Sequence, residues 1–212
     1  MSNDNKSKLL LRTDNLVKYF PVKAGVFRRV VAQVKAVDDV SFSVYEKETL
    51  GLVGESGCGK TTAGMTVLRL YEPTSGRIIV GDEDTTHFFM PSLKARKYIK
   101  QTYIEKFSDL KEKSGSVEGA ISSIEDGFDK KMAEKYFKEF NEDAGEFIKS
   151  LLGNREEKRK AFRRDAQIIF QDPFSSLNPR MRVKNIIGEG ARIHGLATGR
   201  DVMDKVADIM TK

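Results

Sequence analysis

The run Gly54-Glu55-Ser56-Gly57-Cys58-Gly59-Lys60-Thr61 sets a lysine and a hydroxyl directly behind three glycines, at the spacing G-x-x-x-x-G-K-[ST]. Those residue types suit one chemistry, the holding of a chain of phosphates. Glycine lets the backbone curl until successive N–H groups point inward at anionic oxygens, where a Cβ would obstruct the approach. The Lys60 ammonium can then reach the outer phosphates, and the Thr61 hydroxyl suits a Mg²⁺ ligand. The motif carries weight only between a strand and a helix. "TLGLVG" (49–54) reads as a short buried strand, and "AGMTVLRLY" (63–71) reads as a helix with Met65, Leu68 and Leu70 on or near one side. That helix adds its N-terminal dipole to the anion site. Gly54, Ser56, Gly57, Cys58, Gly59, Lys60, Thr61 and Thr62 are therefore candidate nucleotide-binding residues. Cys58 is given no chemistry and is expected to face away from the phosphates.

Elements able to position such a loop are legible on both sides of it. "KLLLRTDNLVKYF" (8–20) reads as a strand followed by a loop, and the second half of "VKAVDDVSFSVY" (34–45) alternates as an antiparallel strand does. "EPTSGRIIVGD" (72–82) is a turn followed by a strand. The chain then changes character: 32 of the 71 residues from 94 to 164 are charged, against 36 of the other 141, so a charged body interrupts an ordinary globular one. Ile99, Tyr103, Phe107 and Leu110 recur at steps of four and three. Ile121, Ile124, Phe128, Met132, Tyr136 and Phe140 continue the pattern, with Gly115, Gly127, Gly145 and Gly153 as breaks. An aromatic stripe at that spacing is the packing face of a helical hairpin rather than a ligand box. "NREEKRKAFRR" (154–164) reads as one basic helix. "AQIIFQD" (166–172) reads as a strand, "PFSSLNP" as a loop, and helices follow near 182–194 and after Thr198, a candidate cap, with Asp201 at the positive end.

Bulk properties narrow the class. The net charge is +6, and the charged middle carries +4 of it with the signs interspersed, which suits solvated helical faces better than a nucleic-acid surface. The one cysteine, Cys58, allows no intrachain disulfide and fits a reducing compartment. No apolar run approaches the roughly 18 residues of a membrane span, and the first residues lack the apolar stretch of a secretory signal. The expectation is a cytosolic chain with no nucleic-acid partner, whose membrane contact comes through another protein.

Three stretches together resemble the ATP-binding subunits of ABC transporters: "VKAVDDVSFSVYEKETLGLVGESGCGKTT", "LYEPTSGRIIVGDED" and "RRDAQIIFQDPFSSLNPRM". The oligopeptide and dipeptide importer branch is most similar, because "FQDPFSSLNPRM" is wording typical of peptide and nickel importer ATPases. "FPVKAGVFRRVVAQVKAVDDVSF" looks like the lengthened first hairpin of one of that system's two paired ATPases. The resemblance covers about residues 8–90 and 161–212. It implies an α/β fold, the P-loop NTPase core of an ABC nucleotide-binding domain with an antiparallel β subdomain, here with an inserted helical segment. The parts would be 1–87 (β subdomain and P-loop core), 88–160 (insertion) and 161–212 (Q-loop strand and start of a helical subdomain).

The resemblance also implies ATP and Mg²⁺ as ligands. It puts Gln171 at the Q-loop position, ending a core strand, where its carboxamide would ligate Mg²⁺ and orient the attacking water. Lys60 and Gln171 are thus the implied catalytic residues. Phe20 falls on the A-loop aromatic that stacks on adenine, with Tyr19 as the alternative, and Val37 would pack beside the ribose and adenine. Residues 172–180 would touch membrane-embedded permease subunits at the cytoplasmic face of a bacterial-type membrane, and a second, homologous ATPase would complete a heterodimer. The implied activity is ATP hydrolysis that powers peptide import.

Three features depart from the family. Gln171 follows Lys60 by 111 positions, a longer span than members usually have. Lys47 stands where members commonly have glycine, which predicts another turn type. No LSGGQ signature, no apolar strand ending in Asp-Glu and no late switch histidine occurs; His87 and His194 lie before those motifs would fall. The expectation is a chain that stops inside the helical subdomain and binds nucleotide without turning it over. The rivals are a non-catalytic nucleotide-binding module and a soluble P-loop kinase, which leaves "FQDPFSSLNPRM" unexplained.

Overall fold

The computed structural model describes residues 8–172 and 177–211. The chain divides after Arg155 into two compact units. In the first, β1 (Leu9–Ala24), β2 (Arg29–Tyr45), β3 (Ser75–Val80) and β4 (Glu83–Asp84) form an antiparallel sheet in the order β2-β1-β3-β4. Thr13 lies opposite Phe42 on one side and Ile78 on the other. The loop expected at the end of the stretch 8–20 is instead strand, because β1 runs unbroken to Ala24. Register shifts absorb its polar irregularity. Asn15 and Asp39 both take positive φ at the same kink, joined by a 2.6 Å side-chain hydrogen bond. Helix α1 (Lys60–Val67) packs on this sheet, and Ala63 and Val67 meet Leu16, Val37 and Ile78 in a small core.

The charged middle folds as a helical body in the same unit. α2 (Ser92–Ile99) passes through a π-helical stretch, Lys100–Glu105, into α3 (Lys106–Ser114). α4 (Val117–Ser122), α5 (Gly127–Glu134) with its π-helical extension Lys135–Glu139, and α6 (Ala144–Leu152) follow. The predicted stripe is the core: Ile99, Tyr103, Phe107, Ile121, Ile124 and Tyr136 are buried together with Phe137 and Phe147. Ser116, Asp126 and Asp143 cap α4, α5 and α6, each accepting a backbone N–H near the helix start.

The charges of this body are not all solvated, contrary to expectation. Asp129 is 2% exposed and pairs with Arg77 and, at 2.6 Å, with Lys106. Arg77 also reaches Asp14 at 2.8 Å, and Arg12 bridges Asp14 and Asp126. Two sheet arginines thus clamp α5. Burial works against the Arg77 charge, but the hydrogen bond and charge of Asp129 outweigh it and hold the guanidinium above its ordinary value. A second joint lies at Asp84, whose carboxylate accepts the Tyr98 hydroxyl at 2.7 Å, the Tyr103 hydroxyl at 2.6 Å and the Thr86 N–H at 2.8 Å. Burial first, and the Asp84 charge next, push both phenols well above the usual tyrosine range.

In the second unit, the basic helix α7 (Arg155–Asp165) forms as predicted and is followed by α8 (Val183–Ile193) and α9 (Arg200–Thr211). Val202 and Val206 of α9 pack against Ile187 and Ala191 of α8, and Asp201 stands in the first turn of α9.

Two expected strands are absent. Residues 49–54 and 167–170 have no regular structure, and their apolar side chains are open, with Val53 93% and Ile169 94% exposed. A strand buried on both faces draws its stability from neighbours on either side. Neither segment pairs with a described strand, so local hydrophobicity alone does not make it one.

Candidate functional site

The loop of residues 54–59 runs straight into α1, and its geometry is set by what lies beneath it. Gly59 stands before the helix with φ 95°. A Cβ there would overlap the carbonyl oxygen of Ala36 on β2, whose carbon would lie only 3.1 Å away. The loop therefore rests backbone-on-backbone against the strand, directly over the buried Val37, which is 4% exposed. No side chain caps α1. The N–H groups of Gly57, Gly59, Lys60, Thr61 and Thr62 bond to no described residue, leaving them for an outside acceptor. Donors gathered at a helix start beside a cation fit a phosphate chain.

Lys60 Nζ donates to the Gly54 carbonyl at 2.8 Å and the Glu55 carbonyl at 2.6 Å, so the ammonium is held across the loop. Cys58 Sγ lies 3.5 Å from Lys60 Nζ, beside the ammonium rather than apart from it. Ser56 and Thr61 are exposed, and the Thr62 carbonyl accepts the Thr66 hydroxyl at 2.7 Å. No group of three or more His, Cys, Asp or Glu suited to a metal occurs among the described residues. A Mg²⁺ ion here would take its ligands from the Thr61 hydroxyl, phosphate oxygens and water.

Phe20 lies opposite Val34, two residues along β2 from the Ala36 that supports the loop. Its ring meets Tyr71 edge-on at 5.4 Å, and Lys18 Nζ sits 4.7 Å from its centre while donating to the Glu72 carbonyl at 2.9 Å. Burial lowers the Lys18 pKa. Tyr71 is 51 positions from Phe20 in the sequence, so no local pattern points to their contact. Tyr19, the alternative, is turned to Asp38, to which its hydroxyl donates. The loop, Val37 and Phe20 thus share one unit and one strand pair. Gln171 belongs to the second unit, exposed, at the end of a segment that is not the predicted strand. Residues 173–176 of the loop after it lie outside the described residues.

The comparisons agree with this architecture. The sequence model of the family described as "ABC transporter" matches residues 37–155, from β2 through the phosphate loop to the end of the helical body. This chain belongs to the ABC transporter family. The ABC match runs through the charged middle, which the quoted motifs only flank. The oligopeptide transport ATP-binding protein AppF of Bacillus subtilis (strain 168) is 34% identical over 203 residues, 96% of this chain and 42% of that protein. The oligopeptide transport ATP-binding protein OppF of the same organism is 34% identical over 202 residues, 95% of this chain and 43% of its own length. The chain therefore spans about two fifths of the length of the curated relatives it matches. Among solved structures, a nucleotide-free ATP-binding cassette from an ABC transporter is 21% identical, with a TM-score of 0.31 over 73% of this chain and 62% of that one. The ABC fold class accounts for the P-loop beside an antiparallel sheet in the first unit. Lys47 adopts φ 65°, in a turn closed by Glu48 N–H to the Tyr45 carbonyl at 3.1 Å. No helix among the described residues is long and apolar enough to cross a membrane.

Proposed function

We propose that this chain is the ATP-binding part of a subunit that powers peptide import through an ABC transporter. The observation that carries the reading is the P-loop: unpartnered N–H groups and the Lys60 ammonium at the start of α1, in a chain of this family whose relatives are named as oligopeptide transport ATP-binding proteins. Lys60 binds the outer phosphates, the N–H groups from Gly57 to Thr62 cradle them, and Thr61 offers a hydroxyl to Mg²⁺. Phe20, or Tyr19 in the adjacent register, stacks on adenine, and Val37 supports the floor beneath. Gln171 orients the attacking water in the assembled transporter. Bound Mg²⁺ would neutralise charge on the phosphates during transfer.

The partners in this reading are membrane-embedded permease subunits, met through residues 172–180, and a second homologous ATPase, at the cytoplasmic face of the membrane. The parts are taken as 1–87, 88–160 and 161–212, the middle one decorating the core. These 212 residues contain no LSGGQ and, after Gln171, no apolar run ending in Asp-Glu, so by themselves they bind nucleotide without hydrolysing it. The test is uptake of a labelled oligopeptide by source cells carrying Lys60→Ala at the chromosomal locus. Uptake falls to the level of a gene deletion if the reading holds; normal uptake, with the variant protein present at normal abundance, sinks it.

A further inference from the structure

The β1–β2 hairpin runs well past the site it serves, and its outer part contributes nothing to a core. Every residue from 21 to 35 is exposed. At the apex, closed by Arg28 N–H to the Gly25 carbonyl at 3.0 Å, Val26 is 95% and Phe27 85% exposed. Val22, Val30, Val31 and Val34 behind it are each between 41% and 62% exposed. The same residues include Lys23, Arg28, Arg29 and Lys35 and no carboxylate. Lys35 is paired with Asp38 at 3.1 Å, whereas Lys23, Arg28 and Arg29 have no carboxylate partner among the described residues, and Arg29 lies over the Phe27 ring at 6.0 Å.

An apolar apex ringed by unpaired cations is costly to leave in water and needs an occupant that is both greasy and anionic. We propose that this apex docks on an anionic phospholipid surface. Val26 and Phe27 enter the boundary between headgroups and acyl chains while Lys23, Arg28 and Arg29 stay among the phosphates. The backbone permits this, because the ladder continues to the Ala24–Arg29 pair and the turn bond closes it, leaving few bare N–H groups to bury. A second copy of the chain fits poorly, since a symmetric hairpin pair would set the unpaired cations against one another. The apex is convex and offers no groove to a peptide. A contact of this size is weak and reversible, so it orients the chain at a membrane rather than anchoring it. The sequence reading routed membrane contact wholly through a partner; this proposal adds a direct one and does not depend on which solute is carried.

The test is flotation of the 212-residue chain with vesicles of phosphatidylcholine alone and of phosphatidylcholine mixed with phosphatidylglycerol. The chain floats with the mixed vesicles only, and added salt releases it. The paired charge reversal Arg28→Glu, Arg29→Glu lowers binding by more than the roughly fivefold expected for each lost cation. Val26→Ser with Phe27→Ala lowers it at unchanged charge. All four side chains are exposed, so circular dichroism and nucleotide affinity stay at the unmodified level. Equal binding to both vesicles, absence of binding, or variants that float like the parent overturn the proposal. Flotation only with vesicles carrying a permease assigns the hairpin to a protein partner and overturns it as well.

Discussion

Replacing Gly59 by alanine should do more damage than the same change two residues earlier, and the structure says by how much. Both glycines have positive φ, 95° at Gly59 and 83° at Gly57. Placing a Cβ in that region costs about 1–2 kcal/mol, of which about 0.4–1 kcal/mol is returned by the stiffer unfolded chain. At Gly57 nothing lies within 4 Å of the new Cβ, so Gly57→Ala should cost between about 0 and about 1.6 kcal/mol. At Gly59 the new atom meets the carbonyl of Ala36, which sits at a register shift between Val37, paired with Lys18, and Lys35, paired with Tyr19. The start of α1 must lift off β2, adding the roughly 1–3 kcal/mol typical of overpacking. The net loss for Gly59→Ala is then about 1–5 kcal/mol, larger than for Gly57→Ala by the overpacking cost of about 1–3 kcal/mol. Urea unfolding of both variants beside the parent measures the difference, read as midpoint shifts at constant slope. Equal midpoints for the two variants would refute the idea that the loop rests on Ala36.

Further outcomes follow from the same geometry. Asp129→Ala leaves Arg77 with Asp14 alone and strips Lys106 of its buried partner; denaturation should show a loss of about 3 kcal/mol, near the lower end for a broken buried pair. The acid limb of stability should involve Asp126. Burial raises its pKa, but the Arg12 hydrogen bond, the Asp129 N–H and the neighbouring arginines outweigh that and leave it below the ordinary value. Its contribution is therefore complete above the unfolded carboxyl pKa of about 4 and disappears as pH falls through the lower folded value. Asp126→Asn should flatten the pH dependence of the melting temperature below about pH 4 while leaving its slope at neutral pH unchanged. Lys47→Gly relieves a left-handed lysine at φ 65° and should raise stability by up to about 1 kcal/mol, seen as a higher urea midpoint.

What the sequence revealed and what it hid divide along the range of the interactions involved. The glycine-lysine spacing identified the loop because phosphate binding by backbone is a local geometry. Helical periodicity identified Tyr103 and Phe107 as core because packing faces repeat along the same helix. The runs 49–54 and 167–170 misled, since an apolar stretch names a strand only when neighbours pair with it. β1 exceeded its expected end because register shifts with β2 accommodate "DNLVK", which a period-two reading takes for a loop. Asp129 lies in a segment whose charges read as solvated, and no pattern singles out Asp84; only folding brings Arg77 and Lys106 around the one and Tyr98 and Tyr103 around the other. Likewise the Tyr71 contact to Phe20 joins the segment after α1 to β1, a meeting no motif encodes.

The central claim is that the residues from Gly54 to Thr62 hold the phosphates of a nucleotide. Its most direct test is titration calorimetry of the purified chain with ATP and Mg²⁺, beside Lys60→Ala. Lys60 touches only the loop's own atoms, so the variant should unfold at the parent's midpoint. The account predicts one site in the parent and at least a tenfold weaker one in the variant, the least expected when a charged hydrogen-bond donor is lost. Equal affinities, or no binding by the correctly folded parent, would contradict it.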